Sequence, residues 1–153
     1  MMSASSRFGA QESPMTMTGL DKWYGYIKSH DRAELWELLH PDAVFESPVV
    51  HTPQRGRDIT FKYLVSAFKV LNGASFRYLG EWRSENGAVL EFENEIEGIK
   101  INGVDIITFS ADDRIIHFKV MVRPLKGMNL LHRLMGEQLA KEVAKAAPKE
   151  AAK

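Results

Sequence analysis

The segment 87–124 constrains the fold most, because apolar and charged side chains alternate along much of it. Leu90 and Phe92 fall on one side of an extended chain. Glu91 and Glu93 fall on the other side, which is typical of a β-strand with one buried face. We expect three strands in this segment, with turn-forming pairs at Glu97-Gly98, Asn102-Gly103 and Asp112-Asp113.

The rest of the sequence predicts helices that cover this sheet. Apolar residues at spacings of three and four predict helices over 20–29, from Asp31 to Pro41, and over 59–71. Short alternating runs predict strands over 43–47 and 76–83. Helices, a strand, a helix and then an antiparallel meander indicate an α+β domain, with helices over one face of a curved sheet.

The two ends of the chain differ from its middle in composition. Residues 1–17 are polar, and we expect a disordered leader there. The domain itself is predicted over 18–125, followed by an amphipathic helix over 126–145. Residues 146–153 consist mainly of Ala, Lys and Glu, and they are predicted to form a flexible tail.

Composition excludes several classes of function. Twenty basic residues balance twenty acidic ones, so no global field favours nucleic acid or an anionic membrane. The chain has no Cys, which removes disulfides, thiol catalysis and thiolate metal sites. No apolar run is long enough to cross a bilayer, and we expect a cytoplasmic protein. No pattern in the sequence requires a metal, a nucleotide or a flavin.

Asp105 is the residue with the least expected position. It lies in phase with Ile107 and Phe109, on a strand face that should be dry. A carboxyl group there either works in a pocket, with its pKa raised by burial, or is a structural group bonded to a nearby Tyr, Trp or backbone atom. Both interpretations remain open from the sequence.

Three short segments of the sequence, together with the order of the predicted elements, resemble the nuclear transport factor 2-like, or SnoaL-like, superfamily. The resemblance extends over 20–123. It implies a conical, mostly hydrophobic pocket between sheet and helices, and commonly a homodimer formed through the outer side of the sheet. The segments that carry the resemblance are His40–Phe45, Pro53–Gly56 and Gly103–Phe109.

Within this superfamily the closest mechanistic template is the ketosteroid isomerase family. That family places a base carboxylate before Pro-Val at the end of the first strand, where this chain has Ser47. Asp105 matches the strand aspartate of the family, and Trp23 falls at the position of its first-helix tyrosine. A serine cannot replace the base at neutral pH without a partner of its own, so isomerase activity is not implied.

The predicted pocket combines aromatic walls with a few polar groups. Ser47 and Asn94 are expected beside Asp105, where they either orient a ligand or satisfy one another. His51, in the loop after Ser47, is a candidate general base. The same aromatic residues would also suit an ordinary core. The predicted ligand-binding residues are Trp23, Trp36, Phe45, Ser47, Tyr63, Phe92, Asn94, Asp105, Phe118 and Val120.

Three functions follow as hypotheses. The first is binding of a small, mostly apolar molecule in the cone. The second is an acid/base enzyme, of isomerase or cyclase type, that uses Asp105. The third is a protein-interaction module that uses the outer sheet and the C-terminal helix, which requires a filled core.

We also expect Glu91, Glu93 and Glu95 to pair with Lys119 and Arg123, or to contribute to a dimer surface.

Overall fold

The computed structural model describes residues 18–151, with side chains described as far as Glu142. The predicted leader, 1–17, lies outside the described residues. Within the described part, four helices and six strands form the predicted α+β fold. The helices are α1 (Gly19–Ser29), α2 (Arg32–Leu38), α3 (Arg57–Leu71) and α4 (Leu125–Ala151). The strands are β1 (Leu39–Glu46), β2 (Gln54–Arg55), β3 (Arg77–Arg83), β4 (Gly87–Ile96), β5 (Ile99–Phe109) and β6 (Ile115–Arg123).

Short polar residues set the ends of the first two helices. Thr18 caps α1: its Oγ1 accepts from the Asp21 N–H at 3.1 Å, and the Asp21 carboxylate accepts from the Thr18 N–H at 3.0 Å. His30 ends α1 in the left-handed conformation, with φ of 62°. Asp31 then caps α2 by accepting from the Ala33 N–H. The predicted break at His30-Asp31 therefore has a structural basis.

The six strands form one curved, open sheet in the order β2-β1-β6-β5-β4-β3. The β1–β6 pair is parallel and the other pairs are antiparallel, so the sheet is mixed. Phe45, Phe92 and Phe118 are buried on the concave face, where the helices pack. The confirmed α+β cone thus places its apolar core between sheet and helices.

The predicted turn at Asn102-Gly103 is wrong, because β5 passes through both residues without a break. Gly103 lies opposite Phe92 in the sheet. A Cβ at Gly103 would lie 2.6 Å from the Phe92 ring and 2.5 Å from the Met121 carbonyl oxygen. Glycine is therefore needed for close packing within a strand and not for a turn.

A β-bulge reverses the predicted phase of β3 at its far end. Tyr78 pairs with Phe92, but Gly80 pairs with Glu91, so Leu79 is the extra residue. Beyond the bulge, Trp82 turns to the outer face and is 58% exposed. The sequence placed Trp82 on the same face as Tyr78, which is wrong because a bulge shifts side-chain alternation by one residue.

The predicted pairing of the acidic stripe on β4 is also wrong. Lys119 and Arg123 belong to β6, which β5 separates from β4. Glu93 instead forms an ion pair with Arg77 on β3. Glu91 accepts a hydrogen bond from the Asn102 amide at 3.0 Å. Strand order depends on non-local pairing, which local alternation does not encode.

Two element ends differ from the sequence prediction. Strand β1 begins at Leu39 and includes Pro41, four residues before the predicted start. Helix α4 extends to Ala151, beyond the predicted end at Lys145, and Ala, Lys and Glu are strong helix formers. No helix in the described part of the chain is both long and apolar enough to span a membrane.

Candidate active site

Three side chains from three different elements form a chain of hydrogen bonds beneath the helices. The Trp23 indole N–H, from α1, donates to the Tyr78 hydroxyl oxygen at 3.1 Å. The Tyr78 hydroxyl, from β3, donates to Asp105 Oδ2 at 2.7 Å. Asp105 lies on β5 between Leu90 and Val120 of the neighbouring strands and is 7% exposed. This arrangement fixes the orientation of the carboxyl group.

Burial dominates the electrostatics of this chain. Desolvation raises the pKa of Asp105 from 3.8 to about 7, against the opposing effect of the Tyr78 hydrogen bond. Desolvation, together with the Asp105 carboxylate, raises the pKa of Tyr78 well above its ordinary value. At neutral pH Tyr78 therefore keeps its proton, and Asp105 exists in both protonation states.

An apolar cavity adjoins Asp105. Oδ1 accepts or donates no hydrogen bond within the described part of the chain, while Asp105 itself lines the cavity. The cavity has about 70 Å³ of room for the centres of water molecules. Helices α1, α3 and α4 and the concave sheet supply its walls. Among the lining residues are Trp23, Ile27, Phe45, Ser47, Leu64, Phe68, Leu71, Phe76, Tyr78, Phe92, Asp105, Phe118, Val120, Leu131 and Met135.

The structure brings most of the predicted pocket residues together. Seven of the predicted ligand-binding residues line the cavity, and they come from α1 and from strands β1, β4, β5 and β6 or the loop after β1. Their contact with a ligand stays a prediction. These residues are Trp23, Phe45, Ser47, Phe92, Asp105, Phe118 and Val120.

Ser47 lines the cavity but also organises the loop that follows β1. Its Oγ accepts from the Val49 N–H at 3.0 Å and from the Val50 N–H at 3.4 Å. A hydroxyl used in this way shapes a turn. Ser47 has no basic partner in the described structure that would make it a nucleophile or a base.

Asn94 is buried as predicted, but it lies away from the cavity. Its amide N–H donates to the Leu71 carbonyl oxygen at the end of α3. Its Oδ1 accepts from the Ser75 hydroxyl at 2.8 Å. These bonds tie the end of α3 to β4 and go to neither Ser47 nor Asp105, so the alternative in which these three polar groups satisfy one another is wrong.

Three other predicted residues also lie outside the cavity lining. Trp36 packs edge-on against Phe61 and lies under the Arg57 guanidinium, 4.2 Å from the ring centroid. Tyr63 packs against Phe45, with ring centroids 5.3 Å apart. His51 is exposed in the loop between β1 and β2. None of these side chains lines the cavity that Asp105 lines.

Tyr78 is the site residue that the sequence reasoning missed. Its alternation with Phe76 indicated the inner face of β3, which was a usable signal. Tyr24 is the alternative phenol on α1, but its hydroxyl donates to Glu81 at 2.5 Å and not to Asp105. Burial and Glu81 raise the pKa of Tyr24. The pairing of Tyr78 with Asp105 depends on two strands that are not neighbours, since β4 lies between them.

The described residues hold no other group of side chains that suggests chemistry at the cavity. No cluster of three His, Asp or Glu side chains with metal-binding geometry occurs among them. A separate pair joins His117 and Glu46 at 2.7 Å on β6 and β1. The hydrogen bond from His117 holds the pKa of Glu46 below its ordinary value. This pair is about one-third exposed and does not line the cavity.

The fold and site together define a cone-shaped α+β domain with an apolar cavity beside one buried carboxyl group. The model of the SnoaL-like domain family matches residues 20–118. The chain therefore belongs to the SnoaL-like domain family, within the nuclear transport factor 2-like superfamily, as the sequence resemblance predicted. A comparison with curated proteins finds no match.

Solved structures support this assignment. A steroid delta-isomerase from Pseudomonas aeruginosa is 35% identical with a TM-score of 0.77, covering 87% of this chain and 99% of that one. A cystatin-fold protein from Silicibacter pomeroyi DSS-3 is 24% identical with a TM-score of 0.75, covering 87% and 93%. A protein of unknown function from Mesorhizobium loti is 18% identical with a TM-score of 0.59, covering 69% and 88%. The last two likenesses show the fold alone.

Proposed function

We propose that this protein binds a small, mostly apolar molecule in the cone, with one polar group of the ligand against Asp105. The observation that carries the proposal is the apolar cavity onto which Asp105 opens while Tyr78 occupies its Oδ2. An apolar pocket with a few placed polar groups is the usual form of a small-molecule site. The polar group of the ligand then fixes its orientation.

The protonation state of Asp105 selects the kind of polar group. With its pKa raised to about 7 by burial, the carboxyl group carries a proton in a large share of molecules at neutral pH. A protonated carboxyl donates a hydrogen bond, so it suits the carbonyl oxygen of a ketone or aldehyde. Affinity for a ketone should therefore fall as the pH rises through about 7.

Calorimetric titration with decalone, a saturated two-ring ketone, tests this proposal. Wild-type affinity should fall at least tenfold between about pH 5 and pH 9, because the donor is lost. Asp105→Asn keeps an N–H donor, so its affinity should stay within about threefold and lose most of the pH dependence. Asp42→Asn, at an exposed position, is the matched control. Equal binding by Asp105→Leu at all pH values would contradict the proposal.

Acid/base catalysis is a second candidate, favoured by two observations. One is the 35% identity to the Pseudomonas aeruginosa steroid delta-isomerase. The other is a carboxyl group with a pKa of about 7 beside the cavity. In such a reaction the Asp105 carboxylate would take a proton from the carbon next to a ketone and return it at the far end of the double bond.

The test for catalysis is a ketone whose double bond is not conjugated with its carbonyl, such as a β,γ-cyclohexenone. Isomerisation into conjugation is followed by ultraviolet absorbance. An enzyme should show a rate that rises through about pH 7 and falls at least a hundredfold in Asp105→Asn. Ketone binding without turnover would leave the binding function and remove the catalytic one. The third hypothesis, a protein-interaction module, stays a prediction.

A further inference from the structure

Helix α4 supplies part of the cavity wall, although it lies beyond the part of the chain that the family model matches, 20–118. Leu131 and Met135 of α4 face the cavity opposite the concave sheet. Leu131 is buried and Met135 is half-buried. On α3, Phe68 and Leu71 line the same space. The helix that follows the family core therefore forms one wall of the cavity.

Contacts near both ends of its described part hold α4 in place. At its start, a Cβ on Gly127 would lie only 3.1 Å from Ile101 Cγ1, so the helix lies close against β5 there. Further along, Glu142 forms an ion pair with Arg32 of α2 at 2.9 Å, and its side chain is 2% exposed. Gln138 donates to the other Glu142 oxygen at 3.1 Å. These contacts fix the position of α4 relative to the cavity.

The cavity is small compared with pockets for drug-sized ligands. It has about 70 Å³ of room for water centres, whereas drug-sized ligands occupy pockets of about 300–1,000 Å³. An engineered apolar cavity that accepts a benzene ring has about 150 Å³. The space beside Asp105 therefore suits a small ligand, and four fused rings exceed it.

We propose that Met135 and Leu131 of α4 set the upper size of the ligand, so that the cavity favours small-ring ketones over four-ring ones. This inference rests on the proposed binding function, because it assigns the ligand size for the same site. Met135 is the main determinant, since it is an unbranched side chain at the half-exposed part of the wall. Leu131 forms the deeper part of the same boundary.

Calorimetric titration with three saturated ketones tests the inference: cyclohexanone, decalone and a four-ring steroid ketone. All three present the same carbonyl to Asp105 and differ in size. Wild type should bind decalone at least tenfold more tightly than the steroid ketone. Met135→Ala, and more strongly the double variant Met135→Ala/Leu131→Ala, should gain at least tenfold in affinity for the steroid ketone. Thermal unfolding checks that each variant is folded.

Met128→Ala is the matched control, because Met128 lies on the same helix and does not line the cavity. It should keep the wild-type order of affinities. Wild-type binding of the steroid ketone as tightly as decalone would overturn the inference. So would equal effects of Met135→Ala on all three ketones. If decalone still binds in an Asp105-dependent way, the proposed binding function stands even when the size inference fails. If no ketone binds at all, both the size inference and the proposed function are overturned.

Discussion

At the scale of single residues, Asp105 carries the account because its two oxygens have different surroundings. Tyr78 donates to Oδ2, while Oδ1 has no hydrogen-bond partner in the described part of the chain and the residue lines the cavity. Leu90 and Val120 flank Asp105 on the neighbouring strands. An apolar environment raises the free energy of the ionised carboxyl group. The Tyr78 hydrogen bond offsets part of this penalty. The carboxyl group is consequently held near the balance point between its two forms at neutral pH.

This balance predicts that the contribution of Asp105 to wild-type stability falls as the pH rises from about 4 to about 7. The folded state keeps the Asp105 proton in that window, because its pKa is about 7, whereas the unfolded chain releases it near pH 4. Asp105→Asn lacks this titration. Its free energy of unfolding relative to wild type should therefore increase by about 2–4 kcal/mol across the window. Urea unfolding at several pH values measures the difference.

The exposed substitution Asp42→Asn serves as the control for replacing a carboxyl group by an amide at the surface. Parallel pH profiles for wild type and Asp105→Asn would contradict a raised pKa. The substitution keeps an acceptor for the Tyr78 hydroxyl, so loss of that hydrogen bond does not confuse the comparison.

Strand phase was sufficient to place Asp105 and Phe92 on the inner face, because alternation along a strand is local. It was not sufficient to pair Asp105 with Tyr78, since the two strands are far apart in sequence and β4 lies between them. Nor did it exclude Trp36 and Tyr63, whose apolar character suits a core as well as a cavity. Residue type predicts burial better than it predicts which space a side chain faces.

At the scale of elements, the ion pair between Arg32 and Glu142 joins α2 to α4 over a long sequence separation. Glu142 is buried, whereas the Arg32 side chain is 40% exposed. A buried carboxylate that loses a charged partner has a cost that an exposed one does not have. The pair therefore contributes to the position of α4 more than the surface pairs of the same helix do.

Arg32→Ala should lower the free energy of unfolding by about 1–3 kcal/mol, because it removes a charged partner from the buried Glu142. Arg133→Ala is the matched control, since Arg133 pairs with Glu97 at the surface, where both side chains are more than half exposed. The control should cost less than about 1 kcal/mol. Chemical denaturation measures both values. Equal losses of unfolding free energy for the two variants would contradict a larger contribution from the pair of Arg32 and Glu142.

The existence of nearly all helices and strands could be predicted from hydrophobic periodicity and capping residues. Their exact course could not. Asn102-Gly103 has the composition of a turn, but Gly103 meets the Phe92 ring inside β5, a contact set by tertiary packing. The bulge at Leu79 likewise leaves no local sign in the sequence. Where non-local packing imposes another conformation, local propensity does not decide the structure.

At the scale of the whole molecule, no described helix covers the outer face of the sheet. Trp82 and Met121 on this face are each more than half exposed, and Leu79 is 45% exposed. We propose that this face joins two copies of the chain, as the sequence resemblance led us to expect. Exposed apolar side chains in one region are typical of an interface.

Replacing an apolar side chain on this face by a charged one tests the dimer. Met121→Lys should weaken self-association at least tenfold, because a buried, unpaired charge opposes contact. Val50→Lys, at an exposed apolar residue in the loop before β2, is the control and should associate like wild type. Light scattering during gel filtration, over a range of concentrations, gives the mass. A wild-type monomer at every concentration would contradict the proposal.

The most direct test of the central claim is a carbon NMR titration of the Asp105 carboxyl group, with and without decalone. We expect a midpoint near pH 7 in the free protein, because burial raises the pKa of Asp105 to about 7. We also expect a higher midpoint with the ketone, since the carbonyl oxygen binds the protonated form and linkage favours that form. A midpoint near pH 4, or one that decalone leaves unchanged, would contradict the assignment of Asp105 as the polar anchor of the cavity.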